Sequence, residues 1–209
     1  MIVAIDGPAG AGKSTVARAL AQRLGFRYLD TGAMYRALAW LALEQGVNPA
    51  DGEALGTLAR ANAVELGVGG TVTIAGHEVT AAIRTLQVDA VVSTVSGHPP
   101  VREVMRARQR ELSLVVDCVI EGRDIGTVVA PQAELKVYLV ADPRERVRRR
   151  LAERPGTSAT ADAAALLARD ASDAERMQPA ADAVHLDTTA LTVDEVVERI
   201  ELLTRERAA

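Results

Sequence analysis

The sequence predicts an α/β fold built on a parallel sheet, and three observations carry that prediction. Short apolar runs alternate with longer stretches of helical periodicity from the first residue onward. The first strand-to-helix junction holds a run of glycines closed by a lysine and two hydroxyl residues, Ser14 and Thr15. Hydrophobic residues make up 48% of the chain and aromatics only 2%, so the core that the strands bury is aliphatic. At 209 residues the chain suits a single domain with small appendages.

"MIVAI" reads as a buried first strand ending at Asp6 and Gly7. In "KSTVARALAQRLG", Val16, Leu20 and Leu24 recur at helical spacing, and Gly25 supplies a C-terminal stop. "FRYLD" is a second strand and "TGAMYRALAWLALEQG" a second helix that ends at Gly46. Residues 64–80 change character: Val72 and Ile74 alternate with small polar residues between glycine turns, which predicts a small antiparallel hairpin or meander. "TLQVDAVVSTVSG" and "PPVREVMRARQREL" are helical, the second launched by proline. "CVIEGRDIG" is a strand running into a charged turn, and "LKVYLVA" another strand. "PRERVRRRLAER" is a basic helix, and "PGTSATAD" a polar, mobile segment. "AAALLARDASDAERM" returns to helix, "AVHLD" is a last strand, and "TVDEVVERIELLTRER" a terminal amphipathic helix.

Composition excludes several classes. A net charge of −4 argues against broad nucleic-acid binding, though not against a local basic pocket. Cys118 is the only cysteine, so no intrachain disulfide forms, and its apolar flanks predict an inert buried thiol. His77, His98 and His185 are far apart, with no spacing suited to zinc. No apolar stretch reaches eighteen residues, so the expectation is a soluble cytoplasmic protein without membrane or nucleic-acid polymer partners.

"GPAGAGKS" matches G-x-x-x-x-G-K-[ST] in full, and the required strand precedes it and helix follows it. Glycines let backbone N–H groups converge on one centre, and the helix adds its N-terminal N–H groups and positive dipole end. Gly7, Pro8, Ala9, Gly10, Ala11, Gly12, Lys13, Ser14 and Thr15 are therefore assigned to the phosphates of a nucleoside triphosphate. Lys13 reaches the β- and γ-phosphates, and Ser14 places its hydroxyl on Mg²⁺. Lys13 is notable because only one other lysine, Lys136, exists among 24 cationic residues.

A GTPase would carry an asparagine–lysine guanine reader, and no such pair occurs. A kinase for a small anionic acceptor needs further cations, and arginines stand where loops and helices would supply them: Arg36, Arg102, Arg123, Arg169 and Arg176. Arg123 lies just past a strand's C-terminal end, where open α/β sheets bind ligands. Residues 144 to 150 hold five arginines, and Arg146, Arg149, Arg150 and Arg154 share one helical face. That helix is either a solvated surface or part of a lid closing over triphosphate. Asp30 has two readings, cap of the second helix or neighbour of the acceptor. Ser93 by itself reads as an ordinary helical serine.

With "DGPAGAGKST", "LDTGAMYRALA", "AIRT", "VREVMRARQR", "EGRDIGTVV" and "PAADAVHLDTT", the chain resembles the bacterial cytidylate kinases over nearly its full length. The resemblance implies a P-loop NTPase-type five-stranded parallel sheet flanked by helices, with a small antiparallel acceptor-binding insert and a mobile lid. It divides the chain into a core of residues 1–35, 84–147 and 165–209, an insert of about 36–83 and a lid of about 148–164. It further implies transfer of the γ-phosphate of ATP to CMP and dCMP by a monomer. Lys13, Arg123, Arg149, Arg150 and Arg169 would stabilise the migrating group. Thr31, Arg36 and Arg123 would lie near the acceptor phosphate; Ser93, Arg102 and Asp124 would read cytosine; Asp173 and Arg176 would serve the ribose and nearby phosphate; Asp30, if not only a cap, would lie near the acceptor. Glu121, on its own, reads as a residue that only orients Arg123. The alternatives are a P-loop kinase for another small acceptor such as UMP, or a nucleotide sensor without catalysis.

Overall fold

The structure is a computed structural model that describes residues 1–153, 159–174 and 177–208. In chain order the N-terminal elements are β1 (Ile2–Asp6), α1 (Lys13–Leu24), β2 (Arg27–Asp30), α2 (Thr31–Glu44) and α3 (Gly52–Ala61). β3 (Glu65–Leu66), β4 (Val72–Ile74), β5 (His77–Glu78), α4 (Leu86–Gly97) and α5 (Pro99–Ser113) follow. The last are β6 (Cys118–Gly122), β7 (Leu135–Val140), α6 (Pro143–Glu153), α7 (Ala159–Asp173), β8 (Val184–Asp187) and α8 (Val193–Ala208).

The expected five-stranded parallel sheet is present, in the order β2-β6-β1-β7-β8. β1 is central because all five of its residues are buried, as a strand covered on both faces must be. It pairs in parallel with β6, Ile2 opposite Cys118, and with β7, Val3 opposite Leu135. β8 closes that side with Val137 opposite Val184, and its alternating burial marks it as less covered.

The chain forms two compact units, Met1–Tyr28 with Val116–Ala209, and Leu29–Val115. In the first, Val3, Ile5, Leu20, Val119, Val137 and Ile200 build one aliphatic core between sheet and helices. α1 and α8 pack together on it. Leu20 is 0% exposed, and burying such a side chain stabilises by roughly 1.5–3 kcal/mol. Gly25 ends α1 at φ 70, a left-handed stop that glycine adopts without cost. Cys118 is buried in this unit, and burial pushes its thiol up to about 11, which leaves it protonated and inert at neutral pH.

In the second unit α3 packs on α5 and α2 on α4, around Leu38, Leu55, Ile83, Val92 and Met105. α3 goes beyond the predicted elements. Its signal is nevertheless in the sequence: Leu55, Leu58 and Ala59 make a buried stripe, and the Asp51 carboxylate accepts from Ala54 N at 3.0 Å as its cap. Thr85 caps α4 in the same way, accepting from Val88 N at 3.5 Å.

Residues 64–80 resolve as a meander: β3, β4 and β5 form a three-stranded antiparallel sheet, with Glu65 opposite Thr73 and Ile74 opposite His77. Two residues, Ala75 and Gly76, join β4 to β5 at φ 50 and φ 78. Positive φ at both turn positions is the twist a two-residue hairpin demands, and an alanine there is strained. Ala75 is exposed, so nothing packs against a replacement. Ala75→Asn, which tolerates that conformation, is expected to stabilise the protein by about 0.5–1 kcal/mol in thermal or urea unfolding. An unchanged or lowered midpoint would contradict the strain.

Candidate functional site

The loop between β1 and α1 is where the first unit concentrates its polar groups. β1 delivers Gly7 at φ 146, with the backbone pressed against the neighbouring strand: a β-carbon on Gly7 would lie 2.2 Å from the Leu139 carbonyl oxygen. Gly10 and Gly12 also hold positive φ, 75 and 88, and Gly12 leads directly into α1. Only glycine allows this curl, so three of the motif's residues are fixed by backbone geometry.

The carbonyl oxygens of the loop are taken by cations. Arg123 donates from Nη1 to Gly7 O at 3.2 Å, and Lys13 from Nζ to Pro8 O at 2.8 Å. Arg146 donates to Ala9 O at 3.0 Å, and Arg149 to Ala11 O at 3.4 Å. The Thr188 hydroxyl, just past β8, donates to Ala11 O at 3.3 Å. Two of the loop's N–H groups are taken as well, Ala9 N by Asp170 Oδ1 and Ala11 N by Pro8 O, both at 3.4 Å, and the positive φ values curl the backbone so that others can converge on one centre. Ser14 and Thr15 stand exposed in the first turn of α1.

Beneath the loop Asp6 is 6% exposed and accepts from Ile125 N at 2.9 Å and Gly126 N at 2.8 Å. Those bonds pin the "GRDIG" turn, which continues as a π-helical segment, Ile125–Val129. Burial raises the Asp6 carboxyl above the ordinary aspartate value, the two N–H bonds oppose the rise, Asp124 adds to it and Lys13 lowers it. Asp124 is itself 8% exposed at the start of that turn. Arg123 also donates from Nε to Asp173 on α7 at 3.1 Å, so this predicted pair is brought together beside the loop.

The basic helix α6 is not a uniformly solvated face. Arg148 lies in solvent with a 71% exposed side chain, while Arg146 and Arg149 are largely covered and turned to the loop. Arg149 is held by the Glu145 carboxylate at 2.8 Å and the Thr188 carbonyl at 2.6 Å. Bonds from Arg148, and from Arg149 after it, hold the Glu145 carboxyl down at about 2. Arg150 is half-buried on the same helix. Arg169 falls in the backbone of α7, but its side chain lies outside the described residues, as do Arg154 and Arg176. Of the predicted mobile segment, residues 155–158 also lie outside them, and residues 159–162 begin α7. Glu121, expected to orient Arg123, accepts from the Tyr28 hydroxyl at 2.5 Å.

The second unit carries the other predicted residues. Asp30 caps α2, its Oδ1 accepting from Ala33 N at 2.8 Å, while Oδ2 takes Arg84 at 2.9 Å. Thr31 follows it, buried, in the first turn. Arg36 is 5% exposed and donates to Asp89 and to Ile83 O. Arg102, at the start of α5, donates to Ser96 O at 3.2 Å and lies over the Tyr35 ring at 5.9 Å. Ser93 is half-buried in α4. Met34 is a packing residue at 1% exposure.

Four residues of the first unit were not among the predicted site: Asp6, Arg146, Asp170 and Thr188. Thr188 had a signal, since it follows a strand's C-terminal end. Asp6, read as the end of a strand, gives no hint in sequence of the two amides it holds.

Among the described residues no helix is long and apolar enough to cross a membrane, and no group of three His, Cys, Asp or Glu could hold a metal ion. The fold is shared with shikimate kinase from Bacteroides thetaiotaomicron, at a TM-score of 0.53 and 16% identity over 98% of both chains. Fold and glycine-rich loop together define the class as a P-loop kinase fold. Within that class the chain belongs to the cytidylate kinase family, whose model matches residues 3–206. It is 50% identical to a cytidylate kinase of Solibacter usitatus (strain Ellin6076), covering 99% of this chain and 93% of that one. It is 46% identical to a cytidylate kinase of Shouchella clausii (strain KSM-K16), covering 99% and 96%.

Two outcomes follow from this geometry. Gly7→Ala must displace the β7 backbone or the loop, and is expected to lower unfolding stability by at least about 2 kcal/mol in a denaturant titration. Because the folded Asp6 holds its proton more tightly than the unfolded chain does, its ionisation subtracts stability as pH rises from 3.8 toward the higher folded value. Asp6→Asn removes that slope and leaves one amide poorly matched, at a cost of roughly 1–3 kcal/mol. Urea titrations across this range should show the wild type's advantage over the variant shrinking as pH rises. A constant difference would refute the burial effect.

Proposed function

We propose that the protein transfers the γ-phosphate of ATP to CMP and dCMP, giving ADP with CDP or dCDP. Membership of the cytidylate kinase family over nearly the whole chain is the observation that carries this reading. The cation-held loop at the end of β1 supports its donor half.

Gly7 to Thr15 hold the donor's phosphates in this reading. Lys13, Arg123, Arg149, Arg150 and Arg169 offset the charge that spreads over the group in flight. Donor and acceptor together carry about six negative charges, so position and countercharge, not covalent chemistry, are what the protein supplies. The attacking phosphate oxygen of CMP is already largely ionised near neutral pH, so no strong general base is needed. Ser14 fits a Mg²⁺ that enters with the nucleotide: it offers one exposed hard oxygen beside the loop, and such an ion keeps several waters. When bound, Mg²⁺ would supply positive charge against the donor's phosphates.

For the acceptor, Asp30, Thr31, Arg36, Ser93 and Arg102 act from the second unit, and Arg123, Asp124, Asp173 and Arg176 from the first. Asp124 takes the N4 amino protons of cytosine, while Ser93 and Arg102 satisfy its ring acceptors. Uracil presents a carbonyl where that amino group was, and an unpaired buried carboxylate costs about 1–3 kcal/mol, or roughly 5- to 150-fold in kcat/KM. Residues 1–35, 84–147 and 165–209 serve as the core, about 36–83 as the acceptor insert and about 148–164 as the lid. The protein works as a cytoplasmic monomer in this reading.

An ADP-release assay offering CMP, dCMP, UMP, AMP and shikimate, run with wild type and Lys13→Met, tests it. CMP and dCMP should exceed the others, and the Lys13 variant should lose on the order of 10³-fold in kcat. Equal turnover of UMP would move the assignment to another acceptor. Tight binding of both nucleotides without any CDP would make the protein a sensor.

A further inference from the structure

Ala9 is the loop residue whose peptide groups are held on both sides by one ion pair. Its carbonyl accepts from Arg146 Nη1 at 3.0 Å, and its N–H donates to Asp170 Oδ1 at 3.4 Å. The same Arg146 Nη1 donates to Asp170 Oδ2, which closes a ring of hydrogen bonds around the residue. Arg146 comes from α6 and Asp170 from α7, so the ring ties the loop to both helices at once. The two side chains are only 9% and 19% exposed, so salt screens the pair little and removing one partner leaves a buried charge uncompensated. The main chain of α6 backs it, since a β-carbon on Gly10 would lie 3.3 Å from the Arg146 carbonyl oxygen.

We infer that Arg146 and Asp170 are positioning residues for ATP: they latch the Ala9 peptide, and thereby fix the loop in the curl that presents its remaining N–H groups to the phosphates. The inference rests on the donor half of the reading above. Neither residue need touch the nucleotide. A loop without the latch samples other curls, and part of the binding free energy then goes into ordering it. The loss should appear in ATP affinity and leave the cytosine-reading residues of the other unit unaffected. Arg146 Nε is buried and donates to nothing among the described residues. Both of its hydrogen bonds to described residues come from Nη1, and a lysine, which carries one terminal charge, can stand in for that nitrogen.

The test is titration calorimetry of the intact protein with a non-hydrolysable ATP analogue and, separately, with CMP, for wild type, Arg146→Met, Arg146→Lys and Asp170→Asn. Arg146→Met is expected to weaken the ATP analogue about tenfold, 1.4 kcal/mol, with CMP affinity within about twofold of wild type. Arg146→Lys should recover most of the loss, and Asp170→Asn should weaken the analogue in the same direction. Wild-type affinity in Arg146→Met, equal losses for both ligands, or a lysine variant as poor as the methionine one overturns the latch. So does tighter binding by Asp170→Asn, which would mean that the carboxylate competes with phosphate. If Arg146→Met does not fold, the lysine and asparagine variants decide alone. Failure of the wild type to bind the analogue would instead remove the proposed function.

Discussion

A tightly curled glycine-rich loop must put its carbonyl oxygens somewhere, and here positive charge receives them. Lys13, Arg123, Arg146 and Arg149 each hold a carbonyl between Gly7 and Ala11. A charge-assisted bond is roughly twice as strong as a neutral one, so the curl is set by the side chains around it as much as by its glycines. The glycines permit the conformation and the cations select it.

That arrangement brings a second requirement. Cations gathered around a buried loop repel one another and resist burial, and the fold answers with a carboxylate for each of the three arginines. Asp173 holds Arg123, Asp170 holds Arg146 and Glu145 holds Arg149. The second unit repeats the device, with Asp89 on Arg36 and Asp30 on Arg84. Each guanidinium is thus fixed in direction before any ligand arrives, which lowers the ordering cost of recognition. Asp6 stands apart from these pairs. It holds amides rather than an arginine, and burial with Asp124 nearby pushes its carboxyl upward.

Much of this was legible in the sequence, for reasons that differ by element. β1 and α1 announced themselves because a continuous apolar run, a glycine-rich turn and a helical stripe follow one another within 24 residues. Helix ends were readable at Gly25 and Asp30 because capping is local chemistry. The meander at residues 64–80 was visible as alternation, but only the paired positive φ values at Ala75 and Gly76 show that one of its turns has two residues. The direction of α6 was not legible. Helical spacing put Arg146 and Arg149 on one face, yet it could not say that the face meets a loop more than 130 residues earlier. Asp170 and Thr188 were hidden for the same reason, since their partners, Ala9 and Ala11, are backbone groups far away in sequence.

The register of the central strand also shapes how the protein comes into being. Ile2 lies opposite Cys118 and Val3 opposite Leu135, so β1 meets neither neighbour until more than half of the chain has been made. At ribosomal speeds of about 5–20 residues per second, that interval is on the order of 6–25 seconds. Throughout it an aliphatic pentapeptide with two open hydrogen-bonding edges waits beside the exit tunnel, while the contiguous stretch Leu29–Val115 is free to collapse first. The segment that later carries the glycine-rich loop is thus open to aggregation while the chain is being made, and its shelter in that interval falls to whatever holds newborn chains.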